Sequence, residues 1–196
     1  MADTVFDFND GNGEVPAIKW ANGGGWIACT AKADDTVYIG ENAQVSGDAW
    51  VSGDALVSGN AWVSGDAWVS GNARVSGNAR VSGDALVSGN ARVSGDALVS
   101  GNARVYGDAL VSGDARVYGN ARVYGDALVQ KTPIHIIGLE YSITITETHL
   151  FAGCQGHKFK QWRDFSNEDI LRMDGKKALK FYPKLISIID LFVKEK

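Results

Sequence analysis

From Ile39 to Leu128 the chain repeats one six-residue phrase without a gap, as in VSGDAWVSGNARVSGNARVSGDALVSGN, fifteen consecutive copies in all. Looser copies, IACTAK from Ile27 and ADDTVY from Ala33, extend the array to residues 27–128. A short fixed period means units too small to bury an apolar face alone, which must stack to share a core. A helix is excluded, because Val and Gly every six residues sustain no 3.6-residue apolar stripe. In extended backbone, successive side chains alternate between faces. Each A-x-V triplet therefore sends Ala and Val inward and x outward, so that Ala49 and Val51 are core and Trp50 is surface. Glycine followed by Asp or Asn punctuates the array every six residues, and these residues tolerate the left-handed backbone that a corner needs. Strand and corner in strict alternation make a solenoid.

The phrase V-S-G-[DN]-A-x resembles the hexapeptide repeat of left-handed parallel β-helices, with an aliphatic first slot and a small fifth slot. That resemblance implies three hexapeptides per triangular coil and a left-handed winding, an exception to the usual right-handed crossover. The expected fold is mainly β: a single-stranded left-handed parallel β-helix, three-sided, with a small α+β C-terminal cap or oligomerisation region. Residues 1–26 are expected to cap its start, 27–130 to form the β-helix, and 131–196 to form a β-hairpin plus helices. Five to six coils spaced about 4.8 Å apart would give a prism roughly 27 Å long.

Folding the outward residues at a period of 18 sorts them into three faces. These read Gln44, Trp62, Arg80, Leu98, Arg116; then Trp50, Trp68, Leu86, Arg104, Arg122; then Leu56, Arg74, Arg92, Leu110, Leu128. The second runs from aromatic to aliphatic to basic, while its corner residues Asp48, Asp66, Asp84, Asn102 and Asn120 change from acid to amide. Soluble proteins seldom leave stacked tryptophans uncovered. The cover is expected from the chain's own amino-terminal segment, with Trp20 and the glycine-rich NGGGW turn, or its carboxy-terminal segment, from another subunit, or from a foreign partner or ligand. The expected binding surface is Trp50, Trp62 and Trp68 with Asp48, Asp66 and Asp84. Arg104 and Arg122 read as a solvated face, and Tyr106 with Tyr124 as a stacking ladder.

The array should close at Pro133, which cannot donate to a strand ladder. Two β-rich runs follow in IHIIGLEYSITITETHLFAG, expected as a hairpin or cap over the open end. Ser166 ahead of Asp169 resembles a helix start, and Pro183 suits a first helical turn. Leu185, Ile186, Ile188, Ile189, Leu191, Phe192 and Val193 leave the last segment apolar almost all round. With no evident core to receive it, a homo-oligomer, dimer or trimer, is expected through Leu185, Ile188, Ile189 and Phe192. The whole layout, with ITITETH, GCQGHKFKQW and a helical end, resembles repeat proteins encoded by bacteriophages and prophages, a family that implies an origin rather than a chemistry.

Hexapeptide acyltransferases share the repeat but typically place a histidine near a loop that interrupts the coils. Here the fifteen copies have no insertion, and His135, His149 and His157 all follow the array. Cys154 and His157 have the spacing of half a zinc site, with His149 as a third ligand, but a thiol buried beside a structural histidine is the simpler expectation. No catalytic residue, metal or cofactor is expected. Net charge is −4, with ten acids against two bases in residues 1–68 and seventeen bases against thirteen acids thereafter. That balance disfavours direct nucleic-acid binding. The two cysteines make no disulfide framework, MADTVFDFND lacks the basic then apolar run of a secretion signal, and no apolar run reaches about 18 residues. The expectation is a cytoplasmic, non-catalytic protein-interaction module in a bacterial host. Its target would be a host protein, such as a defence component inhibited by a nucleic-acid-like acidic surface. A virion or assembly part and an acyltransferase are the alternatives.

Overall fold

The computed structural model describes residues 4–192, so Val193 lies outside the described residues. The chain divides after Pro133 into two compact units, described in turn below.

In the first unit, short strands recur every six residues from Trp26–Ala28 to Leu128–Val129. Each pairs in parallel with the strand 18 residues further on, as Trp50↔Trp68, Trp68↔Leu86 and Leu86↔Arg104. Three faces result, each with six solenoid rungs, and their outward residues are those obtained by folding the sequence at 18. Every repeat Ala and Val from Ala43 to Val129 is buried. The inward Val stacks on the Val of adjacent coils, and burying each Val stabilises by about 1.5–3 kcal/mol.

At the corners only one of the two tolerant residues uses that freedom. Glycine alone takes the left-handed backbone, Gly65 at φ 69° for instance, and among the described residues Asn9 is the one non-glycine with positive φ. The following Asp or Asn keeps an ordinary backbone and ties coils together instead. Asn60 donates its backbone N–H to Gly77 O at 2.8 Å and its side-chain amide to Asn78 Oδ1 at 3.0 Å. Close stacking is a second reason for glycine: a Cβ on Gly65 would stand 2.9 Å from the backbone nitrogen of Gly83.

The amino-terminal strands Val5–Asp7 and Glu14–Lys19 form an antiparallel hairpin that joins Trp26–Ala28 and lengthens the Gln44–Trp62–Arg80 face. The NGGGW turn is a close-packed cap on the first coil. Gly25 donates to Ile39 O at 2.9 Å and the Trp20 indole to Val37 O at 2.8 Å. A Cβ on Gly23 or Gly25 would come within 2.3 or 2.4 Å of the carbonyl oxygens of Ile39 and Gly40.

The second unit is an antiparallel sheet of four strands, Ile134–Ile136, Ile143–Ile145, His149–Ala152 and Gln155–Lys158, followed by α1 (Phe159–Asp164) and α2 (Asn167–Phe192). It is thus a fuller sheet than the hairpin expected, because the second β-rich run divides into two strands, Ile143–Ile145 and His149–Ala152, and QGHK forms a fourth without any apolar alternation to announce it. Ser166 does cap α2: its hydroxyl donates to Asp169 Oδ2 at 2.7 Å and accepts from the Asp169 N–H at 3.2 Å. The helix breaks at Asp174–Gly175, where Gly175 has φ 61°, and Pro183 lies inside the second segment rather than at its start. The Asp-Gly pair, not the proline, is the boundary.

The last helix also has a core of its own, which corrects the premise on which it was assigned to a subunit contact. Leu185, Ile188 and Ile189 are 2%, 9% and 0% exposed and pack with Ile143, Leu150, Trp162, Ile170 and Phe181. Of the four residues expected to oligomerise, only Phe192 is exposed. Among the described residues no helix is long and apolar enough to cross a membrane.

Candidate binding face

Five of the six residues expected at the binding surface come together on the second face and its leading corner. Trp50 and Trp68 stack with ring centroids 5.1 Å apart and planes 6° from parallel, and remain 45% and 42% exposed. The parallel rungs impose this: residues 18 apart are direct Cα partners, so identical side chains lie one above the other. The Trp68 indole donates to Ser52 Oγ at 3.0 Å, which sets its tilt over the preceding coil. The amino-terminal hairpin, having joined the first face, does not cover them.

Asp48, Asp66 and Asp84 occupy successive corners two residues before Trp50, Trp68 and Leu86, and all three are exposed. The other two corner columns are mixed: Asn78 donates to Asp96 at 2.8 Å and Asn90 to Asp108 at 3.0 Å, and each column has at most two acids in succession, Asp96 with Asp114 and Asp108 with Asp126. Here three carboxylates follow one another with no amide between them. Like charges one rung apart repel, so this column concentrates negative potential beside the indoles.

Trp62 stands apart. It lies on the first face, half-buried, with its indole donating to Ser46 Oγ at 3.0 Å and the Arg80 guanidinium 5.4 Å above its ring. It is a satisfied structural residue, and it shows how this lattice seats a cation on tryptophan: the rung after Trp62 supplies arginine. The rung after Trp68 supplies Leu86 instead. Folding at 18 puts Trp62 on its own face in the sequence too, with Arg80 as its next neighbour, and the structure adds that the guanidinium sits over the ring. Tyr106 and Tyr124 stack at 4.7 Å as expected.

In the second unit, Cys154 is exposed, contrary to the buried thiol expected. His157 is a packing residue, set edge-on to Trp162 and Phe165 at 4.9 and 4.8 Å and near Gln155 Oε1 at 3.1 Å. Burial, with a smaller contribution from His149, holds its imidazole below the usual histidine range. Among the described residues no group of three or more His, Cys, Asp or Glu is placed to hold a metal ion. A cavity of about 230 Å³, undetected from sequence, is lined by Trp162, Ile170, Phe181 and Leu185 with Tyr141 and Asp174 at a polar edge. Tyr141 donates to Asp174 at 2.6 Å, and burial with that bond pushes its phenol up to about 12.

The fold and repeat define a β-solenoid repeat protein. The family model described as YdcK Beta solenoid repeat matches overlapping stretches covering residues 43–65 and 67–131. No curated protein sequence matches the chain. Among solved structures, the acetyltransferase domain of PglB from Neisseria gonorrhoeae FA1090 in complex with acetyl coenzyme A is 16% identical over 53% of this chain and 52% of that one, with a TM-score of 0.43. A second structure of the same domain is 16% identical over 50% and 53%, with a TM-score of 0.41. The chain thus spans about half the length of those domains. At such identity and TM-scores neither bears on what this chain does.

Proposed function

We propose that this protein is a non-catalytic interaction scaffold whose contact surface is the Trp50–Trp68 face with its Asp48–Asp66–Asp84 corner, and that it takes a basic protein surface. One observation carries the reading: two stacked, exposed indoles beside three successive carboxylates, with Leu86 rather than a cation on the rung after Trp68. An incoming arginine would do for Trp68 what Arg80 does for Trp62, and would meet carboxylates as well. Rigidity favours recognition, since stacked coils lose little ordering entropy on binding. The uninterrupted coils, with His135, His149 and His157 all in the second unit, support a non-catalytic role. In a host cytoplasm such a surface suits a protein whose basic groove otherwise receives nucleic acid; in a virion the stiffness itself would serve assembly.

The test is fluorescence anisotropy with labelled oligo-arginine and oligo-glutamate peptides, on wild type and on the Trp50→Ser/Trp68→Ser double variant. Arginine-selective binding lost in a variant that melts like wild type is the expected result. Equal binding by both proteins would refute this surface.

A further inference from the structure

We infer that the basic surface this face fits is the late half of the same face in a second copy, so that the protein pairs with itself antiparallel across Leu86. The inference rests on the scaffold reading above and names its partner.

The outward order along the rungs is Lys32, Trp50, Trp68, Leu86, Arg104, Arg122. Leu86 stands between the aromatic and the basic rungs, with Trp68 one step before it and Arg104 one step after. A twofold axis lying along the strand direction over Leu86 reverses the solenoid axis and keeps the leading corner on the same side. Trp68 then opposes the partner's Arg104, and Arg104 opposes the partner's Trp68, the reciprocal pairing that an isologous contact requires. Each Trp68 ring thereby gains the cation that the rung above it lacks. Leu86 meets the partner's Leu86 at the axis.

The corner column obeys the same symmetry. Asp66 comes opposite the partner's Asn102, so the change from acid to amide along this corner supplies a donor for each carboxylate, and only Asp84 meets its own kind. A twofold along the solenoid axis would instead set Arg104 on the partner's Arg104 and tryptophan on tryptophan, like upon like. Trp68, Leu86 and Arg104 carry the case; Arg122 is already engaged within the chain. Arg104 is exposed, so its guanidinium is available to reach across. The twofold overlaps the five rungs from Trp50 to Arg122 and leaves Lys32 beyond the contact; five rungs spaced about 4.8 Å are a small area, for which association in the micromolar range is expected.

Sedimentation velocity on the full chain across a micromolar concentration series tests this, with melting curves as a check on folding. Wild type should dimerise. Trp68→Arg, which faces guanidinium with guanidinium, should raise the dissociation constant at least tenfold. The double variant Trp68→Arg/Arg104→Trp restores the complementary order with its ends exchanged and should recover the dimer. The outward slot already holds Trp, Arg and Leu in this chain, so all three proteins should fold. A wild type that stays monomeric, a Trp68→Arg protein that dimerises as well as wild type, or a folded double variant that stays monomeric overturns the inference. If wild type is monomeric yet binds oligo-arginine through Trp50 and Trp68, self-pairing falls and the scaffold reading stands; if it does neither, both fall.

Discussion

Glycine at the corners answers to two separate constraints, and one column of the solenoid pulls them apart. Gly47, Gly65, Gly83, Gly101 and Gly119 stack above one another, all with φ between 65° and 69°. A Cβ on Gly65 would stand 2.9 Å from the backbone nitrogen and 3.3 Å from the Cα of Gly83, whereas one on Gly119 meets nothing within 4 Å. Gly119→Ala therefore incurs only the left-handed penalty, about 1–2 kcal/mol. Gly65→Ala incurs that and must also open the spacing between coils, because its neighbour is backbone held in the next ladder and cannot rotate away. Overpacking of this sort typically costs about 1–3 kcal/mol more, for a total of about 2–5 kcal/mol. For a chain of this length about 2–4 °C is lost per kcal/mol, so Gly119→Ala should lower the midpoint by about 2–8 °C and Gly65→Ala by roughly 4–20 °C. Far-ultraviolet circular dichroism during heating reads both. Equal losses would refute the stacking argument and leave backbone conformation as the sole reason for glycine.

Two further outcomes follow from burial. Val81→Asp places a charge where the side chain is fully enclosed and should cost several kcal/mol and abolish cooperative melting, while Arg80→Asp on the neighbouring outward slot should cost about 1 kcal/mol by removing the cation over Trp62; thermal melts with the opposite ranking would reverse the assignment of faces. His157 is held below the ordinary histidine range, so the unfolded chain takes up the proton first: its contribution to stability is complete above about pH 6.5 and declines as pH falls below that. His157→Phe should flatten the dependence of the second unit's melting on pH between neutrality and mild acid, and an unchanged slope would show that another group titrates there.

The solenoid is legible in the sequence because each slot of the phrase has one physical solution. Ala49 and Val51 point inward, Trp50 outward, and the 18-residue spacing puts Trp50 against Trp68, all as strand geometry requires. The second unit is less legible because its order comes from tertiary contact. QGHK pairs as a strand through backbone bonds with HLFA, which its side chains do not announce. Leu185 and Ile189 looked unpartnered because their partners, Ile143, Leu150 and Trp162, are distant in sequence and lie in short segments with no repeat to anticipate their packing. On the candidate face, the stacked indoles and the acid column could be read directly. Trp62 was grouped with them because all three are tryptophans, whereas its rung neighbour Arg80 sets it apart.

The register between rungs makes the solenoid a counting device. Insertion or loss of 18 residues lengthens or shortens the stack and leaves every later side chain on its own face. Insertion or loss of six residues is equally silent inside, because Val still follows Ala inward, yet it turns everything downstream by one face. Removing a single hexapeptide between Trp68 and Leu86 would leave a fully packed core while carrying Leu86 and Arg104 off the tryptophan face. Genetic drift in copy number can therefore rewrite what the surface presents without touching what holds it together, and only multiples of three copies preserve both.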